Sequence, residues 1–274
     1  MRAAWARLVG GLARLLALVV VSLLALQLYF LARVALMSVV DPQSTTFQRS
    51  EAWRLLVDKH HIAWSQQWVG YAQISPHLKR AVIASEDAGF SDHSGVEWDA
   101  VEKAWERNQK AEARVAKINE EIERRASKAA RGKPVAARPA TAAVKPRPHA
   151  EPKIVGGSTI TQQLAKNLFL GSERSIARKA QEFAITFMLE SLLTKQRILE
   201  IYLNSVEWGE GVFGAEAAAH HYFRSSAAQL GPFAAARLAV MLPAPKRFER
   251  RPDSPYVVGR AGTVVARMSA VELP

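Results

Sequence analysis

The sequence contains no cysteine among its 274 residues. This absence excludes disulfide bonds, a thiolate nucleophile and a cysteine-ligated metal. No segment alternates apolar and polar residues convincingly as a strand would, and no internal repeat is present, so an all-β or repeat fold is not expected. An HExxH motif is also missing, and the two histidine pairs, at 60–61 and 220–221, are adjacent residues that cannot face one site on a helix.

Acidic charge is in short supply: 37 lysine and arginine residues stand against 25 aspartate and glutamate residues, a net charge of +12. An excess of basic residues indicates an anionic partner, and the candidates are nucleic acid, an anionic lipid surface and a phosphorylated substrate. Between Arg131 and Lys153, six basic residues and one acidic residue give a net +5, and alanine and proline separate them without hydrophobic periodicity. This composition predicts a linker or extended loop. Aromatic residues that would stack on bases are not interleaved with it, so no nucleic-acid partner is expected.

Long hydrophobic runs are absent except at the N-terminus, where Leu15–Ala32 is uncharged and rich in leucine and valine. As a helix this run is about 27 Å long, close to the thickness of a bilayer's hydrocarbon core. Three arginines precede it and Arg33 follows. The positive-inside rule then predicts residues 1–14 in the cytoplasm, a single-pass anchor at 15–40 in the cytoplasmic (inner) membrane, and the body on the periplasmic side. The alternative is a cleaved signal peptide, which normally has a shorter apolar core ending at a small-x-small site, whereas hydrophobicity here continues through Val40.

Residues 41–274 are expected to form one all-α domain, with a small hairpin or irregular lobe. Hydrophobic periodicity predicts helices at 78–85, 159–170, 175–192, 195–204, 211–222, 226–230 and 233–242. Pro243 and Pro245 should end the last long helix. A charged helix from Val96 to about Ala130 has only a thin apolar stripe, typical of a solvated arm or a partner-binding helix. This helix and the basic linker together make a predicted insertion at about 108–152.

The segment Ser85–Gly95 contains three acidic residues, a histidine and two glycines, and it directly follows an apolar helix. A carboxylate such as Glu86, held at a helix end beside apolar side chains such as Phe90, is placed for a raised pKa and for acid or base chemistry. The simpler interpretation is a helix terminus followed by a polar turn. The segment alone does not decide between them.

The segment Gly156–Asn167 places two glycines before a helix start, where free backbone N–H groups and a nearby lysine suit phosphate binding. The GxxxxGK[ST] spacing of a P-loop is absent. The simpler interpretation is a capped helix, because Thr159 and Gln162 have capping-box spacing. Further along, Lys179 and Glu182 are i, i+3 neighbours on a helix. They form either an ordinary surface ion pair or, because the helix is otherwise so apolar, a charged pair with a function.

Four motifs in a fixed order carry a family resemblance. They are Glu86-Asp87-x-x-Phe90-x-x-His93-x-Gly95, then Gly156-Gly157-Ser158-Thr159-Ile160-Thr161-Gln162-Gln163, then Arg178-Lys179-x-x-Glu182, and Ile198-Leu199-Glu200-x-Tyr202-Leu203-Asn204. Their sequence and order resemble the peptidoglycan glycosyltransferase family (glycosyltransferase family 51) over roughly residues 65–106 and 154–268. The family usually joins the first two motifs by a short loop, so the insertion is a departure. We expect it to contact an anionic membrane or a cell-wall partner without being needed for bond formation.

The resemblance implies a lysozyme-like helical fold and lipid II as substrate, with the growing glycan strand as donor. It implies that Glu86 is the general base and that Glu182 assists at the donor pyrophosphate. Substrate-binding positions carried over from the family are Asp87, Phe90, His93, Ser158, Thr159, Gln162, Gln163, Lys166, Asn167, Arg174, Arg178 and Lys179. No cofactor is required, although a divalent cation, magnesium or manganese, remains an open alternative near Glu182. Expected partners are lipid II, the growing strand, anionic headgroups and cell-wall synthesis or division proteins.

Parts of the sequence are also compatible with rival functions. A lysozyme-like hydrolase or lytic enzyme would cut glycan strands with the same carboxylate. An inert membrane scaffold or a nucleic-acid binder would need only the basic linker. A bifunctional penicillin-binding protein is not expected, because neither Ser-x-x-Lys nor Lys-Thr-Gly occurs in the chain.

Overall fold

A computed structural model of the protein describes residues 2–131, 157–171, 173 and 175–274. The chain divides into two compact units, Met1–Val96 with Thr159–Pro274, and Glu97–Ser158. Most of the predicted basic linker, from residue 132 onward, lies outside the described residues.

The larger unit is predominantly helical, as predicted. Its helices are α1 Arg2–Leu36, α2 Thr46–Lys59, α3 Pro76–Glu86, α5 Ile160–Phe169, α6 Ile176–Leu192, α7 Lys195–Ser205, α8 Ala215–Phe223, α9 Pro232–Met241, α10 Pro245–Phe248 and α11 Pro255–Met268. Three short strands are β1 Ser65–Gln66, β2 Glu207–Gly209 and β3 Val212–Phe213, and single 3₁₀ turns lie at Tyr71–Gln73 and Ala227–Gln229. The smaller unit contributes α4, Trp98–Arg131.

The three strands form one small sheet in the order β1-β3-β2, with β1 parallel and β2 antiparallel to β3. The β2–β3 hairpin confirms the predicted hairpin. The helix predicted for 211–222 is wrong at its start, because 212–213 are strand and the helix begins at Ala215. Gly211 and Gly214 explain the difference: both have positive φ, and a Cβ on Gly211 would lie 2.0 Å from the Ala63 carbonyl oxygen.

A helix that the sequence interpretation missed completes the core. Pro243 and Pro245 do end α9, but α11 follows, so the helix at 233–242 is not the last long one. Helix α11 has Ser254 as its N-cap and Pro255 in its first turn. Its buried residues recur at helical spacing, and the helix packs against α3 and α9. Helix α3 is thereby held from two sides, while α5 packs against α6 and α7.

Helix α1 contains a stretch, Val9–Leu36, that is long and apolar enough to cross a membrane. The C-terminal part of this helix also packs on the body. Phe30 and Val34 are buried, and the Phe30 ring meets Phe169 of α5 edge-on at 5.3 Å between centroids. The side-chain amides of Gln27 and Gln181 donate to each other, at 2.8 and 3.1 Å. The apolar helix is therefore partly built into the fold.

Helix α4 of the smaller unit matches the predicted charged helix to within about two residues at either end. Of its apolar stripe, Val115 and Ile122 are half-buried, while Ile118 is exposed. The stripe is thus as thin as the sequence suggests.

Candidate active site

The C-terminal end of α3 carries the carboxylate that the sequence singled out. Glu86 is the last residue of this helix, whose preceding turn is buried in the core. Gln163 Nε2 on α5 donates to Glu86 Oε2 at 3.1 Å, and the buried Tyr202 hydroxyl of α7 donates to Gln163 Oε1 at 2.9 Å. A relay of three side chains, one from each of three helices, therefore fixes the position of the Glu86 carboxylate.

The environment of Glu86 favours its neutral form. Burial raises the pKa of the Glu86 carboxyl, the negative charge of Asp87 adds to the rise, and the hydrogen bond from Gln163 opposes it. A carboxylate that is desolvated yet keeps part of its surface exposed holds a proton more readily than an ordinary glutamate. It can therefore accept a proton from a hydroxyl at a working pH near neutrality.

Asp87 lies beside Glu86 but faces the interior, with no exposed side-chain surface. Its Oδ2 accepts from the Ile160 backbone N–H at 2.9 Å, at the first turn of α5, where a negative charge is favourable. Its Oδ1 lies 2.8 Å from His93 Nε2. The Gly95 N–H donates to His93 Nδ1 at 3.1 Å, so His93 Nε2 is the nitrogen that donates to Asp87. Asp87 and His93 thus fasten α5 to the segment after α3, and so set the distance from Gln163 to Glu86.

Besides Asp87, three more positions expected to bind substrate are buried. Phe90 has no exposed surface, and Thr159 and Gln162 are almost completely buried. Thr159 and Gln162 form a capping box, with Thr159 N–H donating to Gln162 Oε1 and Gln162 N–H to Thr159 Oγ1, both at 3.2 Å. The polar groups of Thr159 and Gln162 face the start of α5 and the Phe90 ring packs in the core, so substrate contact at these positions stays a prediction. The capped-helix interpretation holds for this stretch.

A cluster of cations surrounds the second predicted carboxylate. Glu182 on α6 is buried, its Oε2 pairs with Arg178 Nη1 at 2.8 Å, and its Oε1 pairs with Lys179 Nζ. Arg178 Nε is buried without a hydrogen-bond partner. Lys166 of α5 adds a third cation: desolvation lowers the pKa of its ammonium, Glu182 opposes this, and Arg178 and Lys179 lower it further. Two cations thus pair with one carboxylate and a third lies within electrostatic range of it, which leaves positive charge for an incoming anion.

The two halves of the site are connected through α5. Gln163, which contacts Glu86, and Lys166, which interacts with Glu182, are three residues apart and so lie on the same face of that helix. The structure therefore places a desolvated carboxylate and a cation cluster along one helix face.

For the remaining predicted site residues the structure gives no described contact with Glu86 or Glu182. Asn167 is half-buried on α5, and its role stays a prediction. Ser158 belongs to the smaller unit, and Arg174 lies outside the described residues. Among the described residues, no group of three or more histidine, aspartate or glutamate side chains is arranged to hold a metal ion. At Glu182 a divalent cation would compete with Arg178 and Lys179 for the carboxylate oxygens.

Two supporting groups were not anticipated from the sequence. Tyr202 was noted only as part of a motif, although a buried tyrosine needs a partner for its hydroxyl. Lys195 was missed entirely: its Nζ donates to the His93 carbonyl at 2.6 Å, pairs with Glu190 at 2.9 Å and lies 4.6 Å from the centre of the Phe90 ring. No sequence signal marks Lys195, because its contacts with His93 and Phe90 come from a segment about 100 residues earlier in the chain.

A desolvated carboxylate next to a cation cluster, on a helical body, is the equipment of an enzyme that activates a hydroxyl and stabilises a phosphate leaving group. Glycosyltransferases that use a phosphate-linked donor are one class of enzyme with these requirements. The comparison with known families agrees with that class.

The family model described as transglycosylase matches residues 56–116 and 135–269. The chain belongs to the transglycosylase family. A protein of Paraburkholderia xenovorans named biosynthetic peptidoglycan transglycosylase is 47% identical over 258 residues, covering 94% of this chain and 91% of the relative. Its namesake in Burkholderia thailandensis is 49% identical over 251 residues, covering 92% and 83%. The gap between the two matched segments, residues 117–134, lies inside the predicted insertion.

Proposed function

We propose that this chain polymerises peptidoglycan: it transfers the growing glycan strand from undecaprenyl pyrophosphate to the 4-hydroxyl of an incoming lipid II. Membership of the transglycosylase family and relatives named for peptidoglycan support the reaction class. The observation that carries the chemistry is the desolvated Glu86 carboxylate at the end of α3. Gln163 of α5 holds this carboxylate, and Gln163 lies on the same face of α5 as Lys166 of the cation cluster.

In the proposed reaction the acceptor hydroxyl oxygen attacks the anomeric carbon of the donor sugar. Glu86 takes the hydroxyl proton, a new carbon–oxygen bond forms, and the bond between the anomeric carbon and the phosphate oxygen breaks. The departing pyrophosphate keeps the electron pair of that bond. It needs positive charge rather than a proton, and Lys166, Arg178 and Lys179 can supply that charge. Glu182 holds Arg178 and Lys179 in place until the anion arrives.

The proposed location is the cytoplasmic membrane. The anchor at 15–40, most of which belongs to the apolar Val9–Leu36 stretch, would cross it once, with residues 1–14 in the cytoplasm and the catalytic body on the outer side. A substrate carried on a long lipid is confined to the same membrane, so anchoring keeps enzyme and substrate together. Anionic headgroups and other cell-wall synthesis or division proteins remain proposed partners.

The decisive experiment is polymerisation of purified lipid II by the full chain and by Glu86→Gln. Loss of a general base should lower kcat about 10²- to 10⁴-fold. Glu272→Gln, which alters an exposed carboxylate, is the control and should retain activity. Near-normal polymerisation by folded Glu86→Gln would refute the assignment. Release of short fragments from finished peptidoglycan, with no polymer made from lipid II, would instead favour a lytic enzyme.

A further inference from the structure

A pocket of about 310 Å³ lies where α1 ends and the chain turns towards α2. It is separate from the Glu86 and Glu182 groups and includes none of the residues assigned to catalysis. Its lining includes Arg33, Leu36, Val40, Asp41, Pro42 and Arg49. Two arginines thus share a small pocket with mainly apolar walls.

The charge of this pocket is not balanced by the described residues. Arg49 Nη1 donates to the carbonyl and hydroxyl of Ser44 at 3.2 and 3.0 Å, and its Nη2 to Thr46 Oγ1 at 3.0 Å. All three acceptors are neutral, so they hold the guanidinium in place without cancelling its charge. Among the lining residues two arginines stand against one carboxylate, Asp41, which also pairs with Arg197 at 2.7 Å. The pocket is therefore prepared for an anion.

Its position along α1 indicates which anion. The apolar stretch of α1 ends at Leu36, and Arg33 lies three residues, or about 5 Å, before that end. When the helix spans a bilayer, an arginine there reaches the phosphate level of the headgroups. The packing of Gln27 and Phe30 on the body keeps the pocket at a fixed height relative to the catalytic helices. Leu36, Val40 and Pro42 add apolar walls, which the glycerol ester of a lipid can contact and which a free phosphate ion does not need.

We propose that this pocket binds the phosphate headgroup of an anionic bilayer phospholipid. The proposal rests on the membrane anchoring proposed above. Arg33 and Arg49 bind the phosphate oxygens, and the apolar wall contacts the glycerol ester and the start of the acyl chains. Such binding holds the body at a defined depth and orientation on the membrane, so that the cation cluster of α5 and α6 faces the same headgroup layer.

The test uses the purified full chain in detergent, titrated with phosphatidylglycerol while native mass spectrometry counts the retained lipid molecules. Phosphatidylcholine and inorganic phosphate serve as comparison ligands. Each cation near an anionic lipid surface contributes about fivefold in affinity, so Arg33→Gln/Arg49→Gln should weaken phosphatidylglycerol binding about 25-fold. Arg260→Gln/Arg267→Gln removes two exposed charges on α11 and should bind like the unaltered protein. Arg33→Lys/Arg49→Lys keeps the charge and should retain part of the affinity, even if the glutamine variant folds poorly.

Three results would overturn the proposal: equal affinity of the Arg33→Gln/Arg49→Gln variant and the unaltered protein, tighter binding of phosphatidylcholine than of phosphatidylglycerol, or full competition by inorganic phosphate at equal concentration. Lipid II turnover in detergent is measured on the same samples. Loss of specific lipid binding with turnover intact supports a separate headgroup site. Absence of turnover in the unaltered protein would count against the proposed function and leaves the lipid-binding result to be judged on its own.

Discussion

Replacing Gln163 with leucine tests whether the relay to Glu86 sets the pKa of the catalytic carboxylate. The Gln163 hydrogen bond favours the ionised form of Glu86, against burial and the charge of Asp87. A hydrogen bond to a charged group contributes about 1.5–3 kcal/mol, and 1.36 kcal/mol corresponds to one pKa unit. Because Glu86 keeps some exposed surface, we expect the ionised form to lose stabilisation near the lower end of that range, about 1.5 kcal/mol, so that the pKa of Glu86 rises further when the bond is lost.

The sign of the effect on activity follows directly. A general base works only when it is unprotonated, so a higher pKa of Glu86 moves the acidic limb of the kcat/KM profile to higher pH. The assay is the initial rate of lipid II consumption across a pH series, with circular dichroism to verify folding. Gln67→Leu, at an exposed position, is the control and should leave the limb in place.

Tyr202→Phe gives an internal check, because it keeps Gln163 but removes the hydroxyl that orients its amide. We expect a shift in the same direction and smaller. An acidic limb that stays fixed in folded Gln163→Leu, or that moves to lower pH, would refute the reasoning.

Two further predictions concern other charged groups. Lys166→Met should lower kcat/KM about 10²- to 10³-fold, because the leaving pyrophosphate loses one of its cations, and single-turnover kinetics should assign the loss to the chemical step. An unchanged rate would remove Lys166 from the mechanism. Glu207, in β2, has its pKa raised to about 7, chiefly by burial, and its Oε1 lacks a hydrogen bond. A raised folded pKa means that its contribution to stability is complete below about pH 4.5 and is lost as pH rises through about 7. Glu207→Gln should therefore be more stable than the unaltered protein at pH 8, by roughly 1–3 kcal/mol, and nearly equal in stability at pH 4. Denaturant unfolding at both pH values measures the free energy of unfolding of the two proteins. An equal gain at both pH values would contradict the prediction.

The helices were predictable because their causes are local. Apolar spacing, the Thr159 and Gln162 capping box and the prolines of α9 are all visible in a single stretch of sequence. The position of Glu86 at a helix end could be read in the same way. The overlooked α11 carried an equally local signal, in Ser254 and Pro255 at its start.

Contacts between distant segments were not predictable. Gln163 and Tyr202 are 39 residues apart, and β1 pairs with β3 across almost 150 residues, so neither contact leaves a pattern in the sequence. The inward orientation of Asp87 depends on where α5 begins relative to α3. For the same reason, motif membership located the site but did not separate the groups that face the substrate from those that hold them in place.

The docking of α1 on the body has a consequence for how this protein is prepared and processed. Phe30, Val34 and Met37 are buried among residues of the body, and each such side chain contributes about 1.5–3 kcal/mol by leaving water. A soluble fragment that starts after residue 40, or a protein cut there by a leader peptidase, would lack these side chains. Apolar surface of α5 and α6 that they cover would then be exposed beside the catalytic helices. Rates measured on such a fragment would be those of a destabilised enzyme, and detergent or lipid bound to the exposed apolar surface would partly restore its stability.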